Sequence, residues 1–337
     1  MIAIRSRRKL GVGIIGVGSI GKVHLRGLLA LPDIEIRWLC GRNLSRVRQV
    51  AADFGLPEVA CIGDYREALA SNPVADAVIV ATPQMSHLEI GTAVLERKIP
   101  CFMEKPLAQN MTDTRSLRDT ARSLGVRCMS GFRLRYFDTV RLVRKNLSGF
   151  RTVSVRMFDN PWVGGFWKYA PDQGGGNVMD QFCHCADLVR FISGVDPVAV
   201  TAHTAALCGS GCPVDHIDAS FRLANGGLAN ITMGDSGISN LLGKFSIEAT
   251  SAQGAASIYS RFSKAEVNIG EARYHLEASE DKAAIEQMRA FTQMARGNDV
   301  PGLPGFADGY WADWMLDRAL ASAKAGREMT FEKEGTP

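Results

Sequence analysis

Leu10-Gly11-Val12-Gly13-Ile14-Ile15-Gly16-Val17-Gly18-Ser19-Ile20-Gly21 is the stretch on which the fold turns. It passes from an apolar run into glycines and then into Lys22–Ala30, a helical segment closed by Pro32. Two overlapping matches to G-x-G-x-x-G are present, Gly11-Gly13-Gly16 and Gly16-Gly18-Gly21. Only the second follows a complete apolar strand and opens directly into a helix. The physics requires that placement. The first glycine makes the tight turn, the second lets backbone approach a pyrophosphate, and the third permits close helix–strand packing. The positive end of the helix dipole then faces the phosphates. The motif alone is a weak signal; its strand–turn–helix context makes Gly16, Gly18, Ser19, Ile20 and Gly21 a dinucleotide-binding loop.

Outward from this loop, strand-like and helix-like segments alternate. Ile34–Cys40, Val74–Ala81, Ile99–Met103 and Val126–Ser130 are apolar and strand-like. Leu44–Phe54, His87–Arg97 and Thr112–Leu124 are helical, the first and last stopping at Gly55 and Gly125. Alternation of this kind means right-handed βαβ units and a parallel sheet. The texture then changes to short β-like runs: Thr152–Asp159, Val198–Thr204, Ile217–Leu223, Leu228–Met233, Phe245–Thr250 and Ala255–Tyr259. Asn225-Gly226-Gly227 is a hairpin signal between two of them. One helix, Val178–Ile192, interrupts the runs, and two more, Glu280–Arg296 and Phe306–Ala325, follow them. The expected fold is α/β. An N-terminal Rossmann dinucleotide-binding domain occupies residues 1–128, and residues 129–337 form an α/β domain with a large open, mainly antiparallel sheet.

Composition narrows the function. A chain of 337 residues exceeds what one hydrophobic core supports, and 46% apolar with 22% charged residues is ordinary for a soluble globular protein. No uninterrupted apolar run is long enough to span a membrane, so no membrane partner is expected. The net charge is only +4, and the one basic group, Arg5, Arg7, Arg8 and Lys9, reads as a solvated tail. It leads into a glycine-broken strand without a cleavage site, so neither nucleic-acid binding nor export is expected. Cys40, Cys61, Cys101, Cys128, Cys183, Cys185, Cys208 and Cys212 are scattered, several inside apolar runs, which points to the reducing cytoplasm. A zinc site from Cys183, His184, Cys185, Cys208 and Cys212 is disfavoured. Residues two apart on a helix project about 200° apart, so no metal is expected.

The end of the second strand bears on cofactor choice. A carboxylate there would bind a ribose 2′-hydroxyl. The chain has Gly41-Arg42-Asn43 instead, and Asp33 and Glu35 come too early to reach the ribose. Arg42, with Arg46 one turn later, suits a 2′-phosphate, so NADP is expected and NAD is the alternative. Two more loops fall at strand carboxyl ends, where ligands of open α/β sheets gather. They are Ala81-Thr82-Pro83 with His87 following, and Glu104-Lys105-Pro106, in which the proline favours an extended Lys105. Thr82, Pro83, His87, Glu104 and Lys105 are therefore expected around the cofactor.

The chemistry is read from Gly174-Gly175-Gly176-Asn177-Val178-Met179-Asp180-Gln181-Phe182-Cys183-His184. Asp180 and His184 are spaced i, i+4 on one helix face, and Asp187 lies three further. A histidine one turn from a carboxylate serves as a general base, and the Lys105 ammonium stabilises alkoxide character by a charge-assisted hydrogen bond. The competing reading is a structural His–Asp pair. Trp162, Phe166 and Trp167 either stack on a sugar ring or close an interface.

Taken together, Gly16–Gly21, Glu104-Lys105-Pro106 and Gly175-Gly176 with Asp180, His184 and Asp187 resemble the Gfo/Idh/MocA oxidoreductases. The likeness covers nearly the whole chain, including Asp308-Gly309 at the start of the last helix and Ser322–Gly326 at its end. It implies a sugar, cyclitol, sugar-nucleotide or related polyol substrate. It implies Lys105, Asp180 and His184 as catalytic residues, and homodimers or homotetramers built through the C-terminal sheet. Two positions depart from the family pattern. Gly41 stands where many NAD-using members carry an acidic residue, and Gln181-Phe182-Cys183 replaces small residues before the histidine. The expected activity is an NAD(P)-dependent dehydrogenase or reductase acting on CH–OH groups. The alternatives are a non-catalytic sensor of dinucleotide or sugar, and an oxidoreductase with permanently bound cofactor.

Overall fold

The computed structural model describes residues 8–72, 74–160, 174–208, 211–235 and 245–332. The chain divides into two units, Met1–Gly131 with Ala284–Ala307, and Phe132–Ala283 with Asp308–Pro337.

The first unit is built from β1 (Leu10–Ile15), α1 (Ser19–Leu29), β2 (Ile34–Cys40), α2 (Leu44–Asp53), β3 (Ala60–Ile62), α3 (Tyr65–Leu69) and β4 (Ala77–Val80). It continues through α4 (His87–Glu96), β5 (Cys101–Met103), α5 (Met111–Leu124) and β6 (Cys128–Ser130). The six strands pair in parallel in the order β3-β2-β1-β4-β5-β6. This is the doubly wound order in which a crevice opens between β1 and β4, outside the strand carboxyl ends. Every residue of β1 and β4 is buried, as a parallel sheet covered on both faces demands. The segment expected as Val74–Ala81 starts its strand only at Ala77, with Val74 54% exposed. Asp76 turns inward there, its carboxylate accepting the Gly11 N–H at 2.8 Å.

Gly11 and Gly13 lie inside β1, which settles the register of the glycine motif. A Cβ on Gly13 would stand 2.2 Å from the Trp38 ring, and one on Gly11 2.3 Å from Arg37 Nε. These two glycines make room for side chains of β2 and take no part in the turn.

The second unit holds α6 (Asp138–Asn146), β7 (Phe150–Phe158), α7 (Asn177–Ser193), β8 (Pro197–Ala205), β9 (His216–Leu223), β10 (Leu228–Gly234) and β11 (Phe245–Ser251). Next come β12 (Gly254–Tyr259), β13 (Lys264–Ile269), β14 (Ala272–Glu277), the first residues of α8 (Glu280–Ala295), and, past residue 307, α9 (Phe306–Ala325) and β15 (Met329–Thr330). Nine strands form one sheet, β14-β13-β12-β11-β7-β10-β9-β8-β15, antiparallel throughout except for the parallel pair β7 and β10. In β9, Ile217, Ala219, Phe221 and Leu223 are buried while the residues between them are not, so one face is covered. Helix α7 packs on β7 and β10. The Asn225-Gly226-Gly227 turn joins β9 to β10 as expected, with Gly226 at φ +83°.

The expected division after residue 128 falls after Gly131, and a further segment departs from the expected 129–337. Ala284–Ala307, comprising most of α8 and the loop after it, belongs to the first unit. The cause is packing. Met288, Phe291 and Met294 are buried, and the Phe291 ring meets Phe102 of β5 edge-on at 5.6 Å. Gly27 on α1 lies against Met288, where a Cβ would come within 2.9 Å of its Cγ. Arg296 closes the contact with an ion pair to Asp33 at 2.8 Å. Phe291→Ala is expected to lower stability by about 3–5 kcal/mol, read as a reduced urea midpoint. An unchanged midpoint would show that α8 does not anchor to the first sheet.

Candidate cofactor and active site

The glycine loop carries three glycines for three different reasons. Gly16 adopts φ +97°, and a Cβ on it would stand 2.4 Å from the Ala81 carbonyl oxygen. A Cβ on Gly21 would stand 2.0 Å from the Gly16 carbonyl oxygen, so α1 closes directly on the turn. Gly18, the N-cap of α1, has nothing within 4 Å of its Cβ position, which is open approach space. Helix α1 has no side-chain cap and no acidic residue in its first turn. The N–H groups of Ser19, Ile20 and Gly21 thus belong to the first turn, which has no intrahelical acceptors. An uncapped, uncharged helix start beside an open glycine fits a pyrophosphate.

At the end of β2, Gly41 N–H donates to the Ile62 carbonyl at 3.1 Å and leads to Arg42. Asn43 caps α2, its side chain accepting the Arg46 N–H at 3.0 Å. Arg42 and Arg46 are exposed, and neither guanidinium is held in an ion pair among the described residues. Both remain available to an anionic ligand.

The loops after β4 and β5 are tied together by His87, and here the geometry departs from the sequence reading. The ring is fully buried. Nε2 faces the Thr82 carbonyl at 2.9 Å, while Nδ1 faces the carbonyls of Pro106 and Leu107 at 3.0 and 3.2 Å. Burial pushes its pKa down, against the pull of those carbonyls. His87 is a clamp between two loops, with no ring atom left for a cofactor. The side chain of Thr82 accepts from Ser86 Oγ at 2.9 Å, and Pro83 gives its carbonyl to the same hydroxyl at 2.8 Å.

Glu104 likewise turns inward. Its Oε1 lies 2.7 Å from Nε2 of His24, and its Oε2 accepts the Lys105 N–H at 3.1 Å. A Cβ on Gly131 would stand 2.8 Å from Oε1, so that glycine makes space for the carboxylate. Burial raises the Glu104 pKa, but the His24 hydrogen bond and charge, with Lys105, outweigh it and hold the carboxyl below its ordinary value. His24 is a site residue that sequence reasoning missed. Its only signal was position, three residues past Gly21 on the loop helix. The Lys105–Pro106 peptide is cis. The chain leaving β5 is held at the Lys105 N–H by Glu104 and at the Pro106 carbonyl by His87.

In the second unit, α7 starts at Gly176, whose φ is +94° and whose Cβ would meet Cys212 Sγ at 2.6 Å. Asp180 is 4% exposed and accepts from the Gln181 side chain. His184 is half-buried, its ring edge-on to Phe132 at 6.0 Å. One turn of helix separates the two, as the spacing predicts. Asp187 has another role. Arg135 Nε reaches its two oxygens at 3.0 and 2.8 Å, and the same guanidinium holds Asp308 at 2.9 Å. Arg190 joins Asp308 at 3.1 Å. Burial pushes the Asp187 carboxyl up while Arg135 pulls it back. Asp187 therefore anchors α7 to α9, which also explains the Asp308-Gly309 start of that helix.

All eight cysteines are free. Cys183 and Cys185 are buried, and burial pushes the Cys185 thiol up to about 12, far from a metal-binding thiolate. Among the described residues, Cys208, Asp215 and His216 do gather, with ligand atoms within 4.8 Å of one another. Asp215 is already committed, accepting the N–H groups of Leu207 and Cys208 at 2.8 Å and facing His216 Nδ1 at 2.7 Å. Arg5, Arg7, Trp162, Phe166 and Trp167 lie outside the described residues.

Residues 10–132 match the NAD-binding Rossmann-fold model of the oxidoreductase family, and residues 148–250 match that family's C-terminal domain. The chain belongs to the Gfo/Idh/MocA oxidoreductase family. Relatives of this Gfo/Idh/MocA protein include an uncharacterized oxidoreductase of Bacillus subtilis, 27% identical over 59% of this chain and 58% of that one. Another is D-xylose 1-dehydrogenase (NADP(+)) 2 of Haloferax volcanii, 28% identical over 58% of this chain and 62% of that one. The chain thus spans about six-tenths of the length of these two relatives. In three dimensions it resembles levoglucosan dehydrogenase, solved with NADH and levoglucosan, with a TM-score of 0.86. That likeness covers 97% of this chain and all of the other at 19% identity, which speaks to the fold. No helix among the described residues is long and apolar enough to cross a membrane.

Two outcomes follow from this geometry. Gly21→Ala is expected to weaken binding of the reduced nicotinamide dinucleotide at least about tenfold, measured by quenching of its fluorescence, because the added Cβ overlaps the Gly16 carbonyl. Full-affinity binding would contradict the packing described. Glu104→Gln breaks a buried pair and should cost about 3–5 kcal/mol near neutrality. The carboxyl is held below its ordinary 4.5, so its contribution is complete above that pH and is lost as pH falls through the lower folded value. The stability gap between the protein and Glu104→Gln should therefore close as pH drops below 4.5. A gap independent of pH would place the stabilisation elsewhere.

Proposed function

We propose that this protein moves a hydride between NADP and a CH–OH carbon of a sugar, cyclitol or related polyol. The observation that carries the cofactor choice is the end of β2, where Gly41 is followed by the exposed Arg42 and Arg46. An NADP-named xylose dehydrogenase and an inositol 2-dehydrogenase among its relatives support the substrate class. NAD is the alternative cofactor, supported by the NADH in the levoglucosan dehydrogenase structure.

When bound, the nicotinamide supplies the hydride acceptor or donor. In the oxidising direction, His184 takes the hydroxyl proton at a ring nitrogen while Lys105 donates a charge-assisted hydrogen bond to the developing alkoxide. Asp180, on the His184 face of α7, steadies the charge that the imidazole acquires. The free cysteines agree with the cytoplasm, and the outer face of the nine-stranded sheet, carrying Asp218, Ser220 and Arg222, is the surface assigned to homodimers or homotetramers.

A panel of sugars and inositols assayed with NADP and NAD at the reduced-nicotinamide absorbance tests the reaction. Lys105→Met and His184→Ala are each expected to lower kcat by about a hundredfold or more while NADPH binding stays within about twofold. Wild-type turnover in both variants would refute the assigned chemistry. Arg42→Ala with Arg46→Ala should raise the KM for NADPH by about tenfold or more and leave that for NADH in place. Equal effects on both cofactors would exclude these arginines as 2′-phosphate ligands.

A further inference from the structure

The two sheets end in unequal strands. The parallel sheet closes on β3 and β6, three residues each, and the large sheet closes at one side on β15, two residues. Edges that short offer little template for another strand. The other side of the large sheet is β14, six residues long, of which only Leu276 is half-buried and the rest are exposed.

Hydrogen bonding fixes which of its backbone groups are free. β14 pairs with β13, and Ala278 N–H donates to the Ser263 carbonyl at 2.7 Å, one step beyond the Lys264–Glu277 pair. Bonded and unbonded pairs alternate along an antiparallel ladder, so Leu276, Tyr274 and Ala272 turn their N–H and C=O toward β13. Arg273, His275 and Glu277 turn theirs to the open edge, where they have no backbone partner among the described residues. The side chains of these three share one face. Glu277 meets Lys264 at 3.1 Å and His275 lies 3.8 Å from Glu266, while Arg273 has no ion-pair partner among the described residues. Tyr274 and Leu276 take the opposite face, opposite the buried Val267 and Ala265 of β13.

A strand of this pattern is complementary to itself. Only the three outward residues can bond across the edge, so the register between two antiparallel copies moves in steps of two. Centring on His275 sets Arg273 opposite the partner's Glu277 and gives every outward N–H and C=O a partner. A shift of two residues either way leaves Arg273 or Glu277 without one. The centred register also sets Tyr274 beside the partner's Leu276 in the closely spaced, unbonded pairs. Charges on an edge ordinarily discourage pairing, but here opposite signs meet. We propose that β14 is an interface between two copies of this chain, joined edge to edge across a twofold axis at His275 into one continuous sheet. That axis stands perpendicular to the sheet, so the face carrying Asp218, Ser220 and Arg222 stays free. The contact is independent of the hydride chemistry.

Sedimentation equilibrium of the full chain over about 1–100 µM tests it. His275→Pro removes an N–H that β13 does not use, so the monomer keeps its ladder while the centre of the contact is lost. Arg273→Glu and Glu277→Arg each set like charges opposite, and the double variant restores opposite signs. The protein is expected to associate, and His275→Pro and each single charge variant to raise the dissociation constant about tenfold or more. The double charge variant should return to within about threefold of the original value. Thermal melts show which variants fold; should His275→Pro fail to fold, the charge exchange decides alone. A chain that stays monomeric at about 100 µM overturns the proposal. So does an oligomer that none of these variants weakens, and so do single charge variants that weaken association without recovery in the double variant. Association untouched by the β14 variants but lost in Arg222→Glu would place the contact on the outer face of the sheet and also overturn it.

Discussion

A Cβ on Gly21 would lie 2.0 Å from the Gly16 carbonyl, and one on Gly16 would lie 2.4 Å from the Ala81 carbonyl. Helix α1, the turn after β1 and the turn after β4 are therefore packed backbone against backbone. Much of the first unit depends on that closeness. It sets the start of α1 at the carboxyl edge of the sheet. It also brings the β4 turn beside the loop, where His87 holds it to the chain leaving β5. A dinucleotide site needs fixed donors rather than mobile ones, because ordering them on binding would cost affinity.

Buried charge is handled differently at three places. His24 and Glu104 satisfy each other beneath Lys105, and Arg135 satisfies Asp187 and Asp308 between α7 and α9. Both arrangements set each buried carboxylate against a partner within the protein, so removing that partner leaves a buried acid without it. At the third place Asn177 Nδ2 donates to Oδ1 of the buried Asp235 at 2.6 Å, and Asp235 Oδ2 has no hydrogen-bond partner among the described residues. The contrast also separates Asp187 from Asp180. Both are buried acids on one helix, but the first is held by an arginine from the chain ahead of α6, and the second lies beside Gln181 on the His184 face.

The boundaries of β1 and β2 and the extents of α7 and α9 were legible because apolar periodicity and glycine stops act over neighbouring residues. So was the register of the glycine motif, since only one of the two matches sits between a strand and a helix. Strand β3 and helix α3 were not legible. Three residues, Ala60–Ile62, carry too little pattern, and they form a strand because β2 offers an edge. β13 and β14 lie at the edge of the large sheet, and β14 is mostly exposed, so burial leaves little apolar signature there.

By itself the sequence determined the two-unit plan, the glycine turn between β1 and α1, the missing carboxylate after β2, and the Asp180–His184 face. Each of these is local: a turn, a strand end or one turn of helix. Only the tertiary structure decided what far-separated residues do. It returned Ala284–Ala307 to the first sheet, turned Glu104 toward His24, closed His87 between two loops, and set Asp235 against Asn177. The physical reason is that a carboxylate or imidazole has no fixed role of its own. Its role is set by whichever partner burial brings within hydrogen-bonding distance, and that partner leaves no mark in the neighbouring sequence.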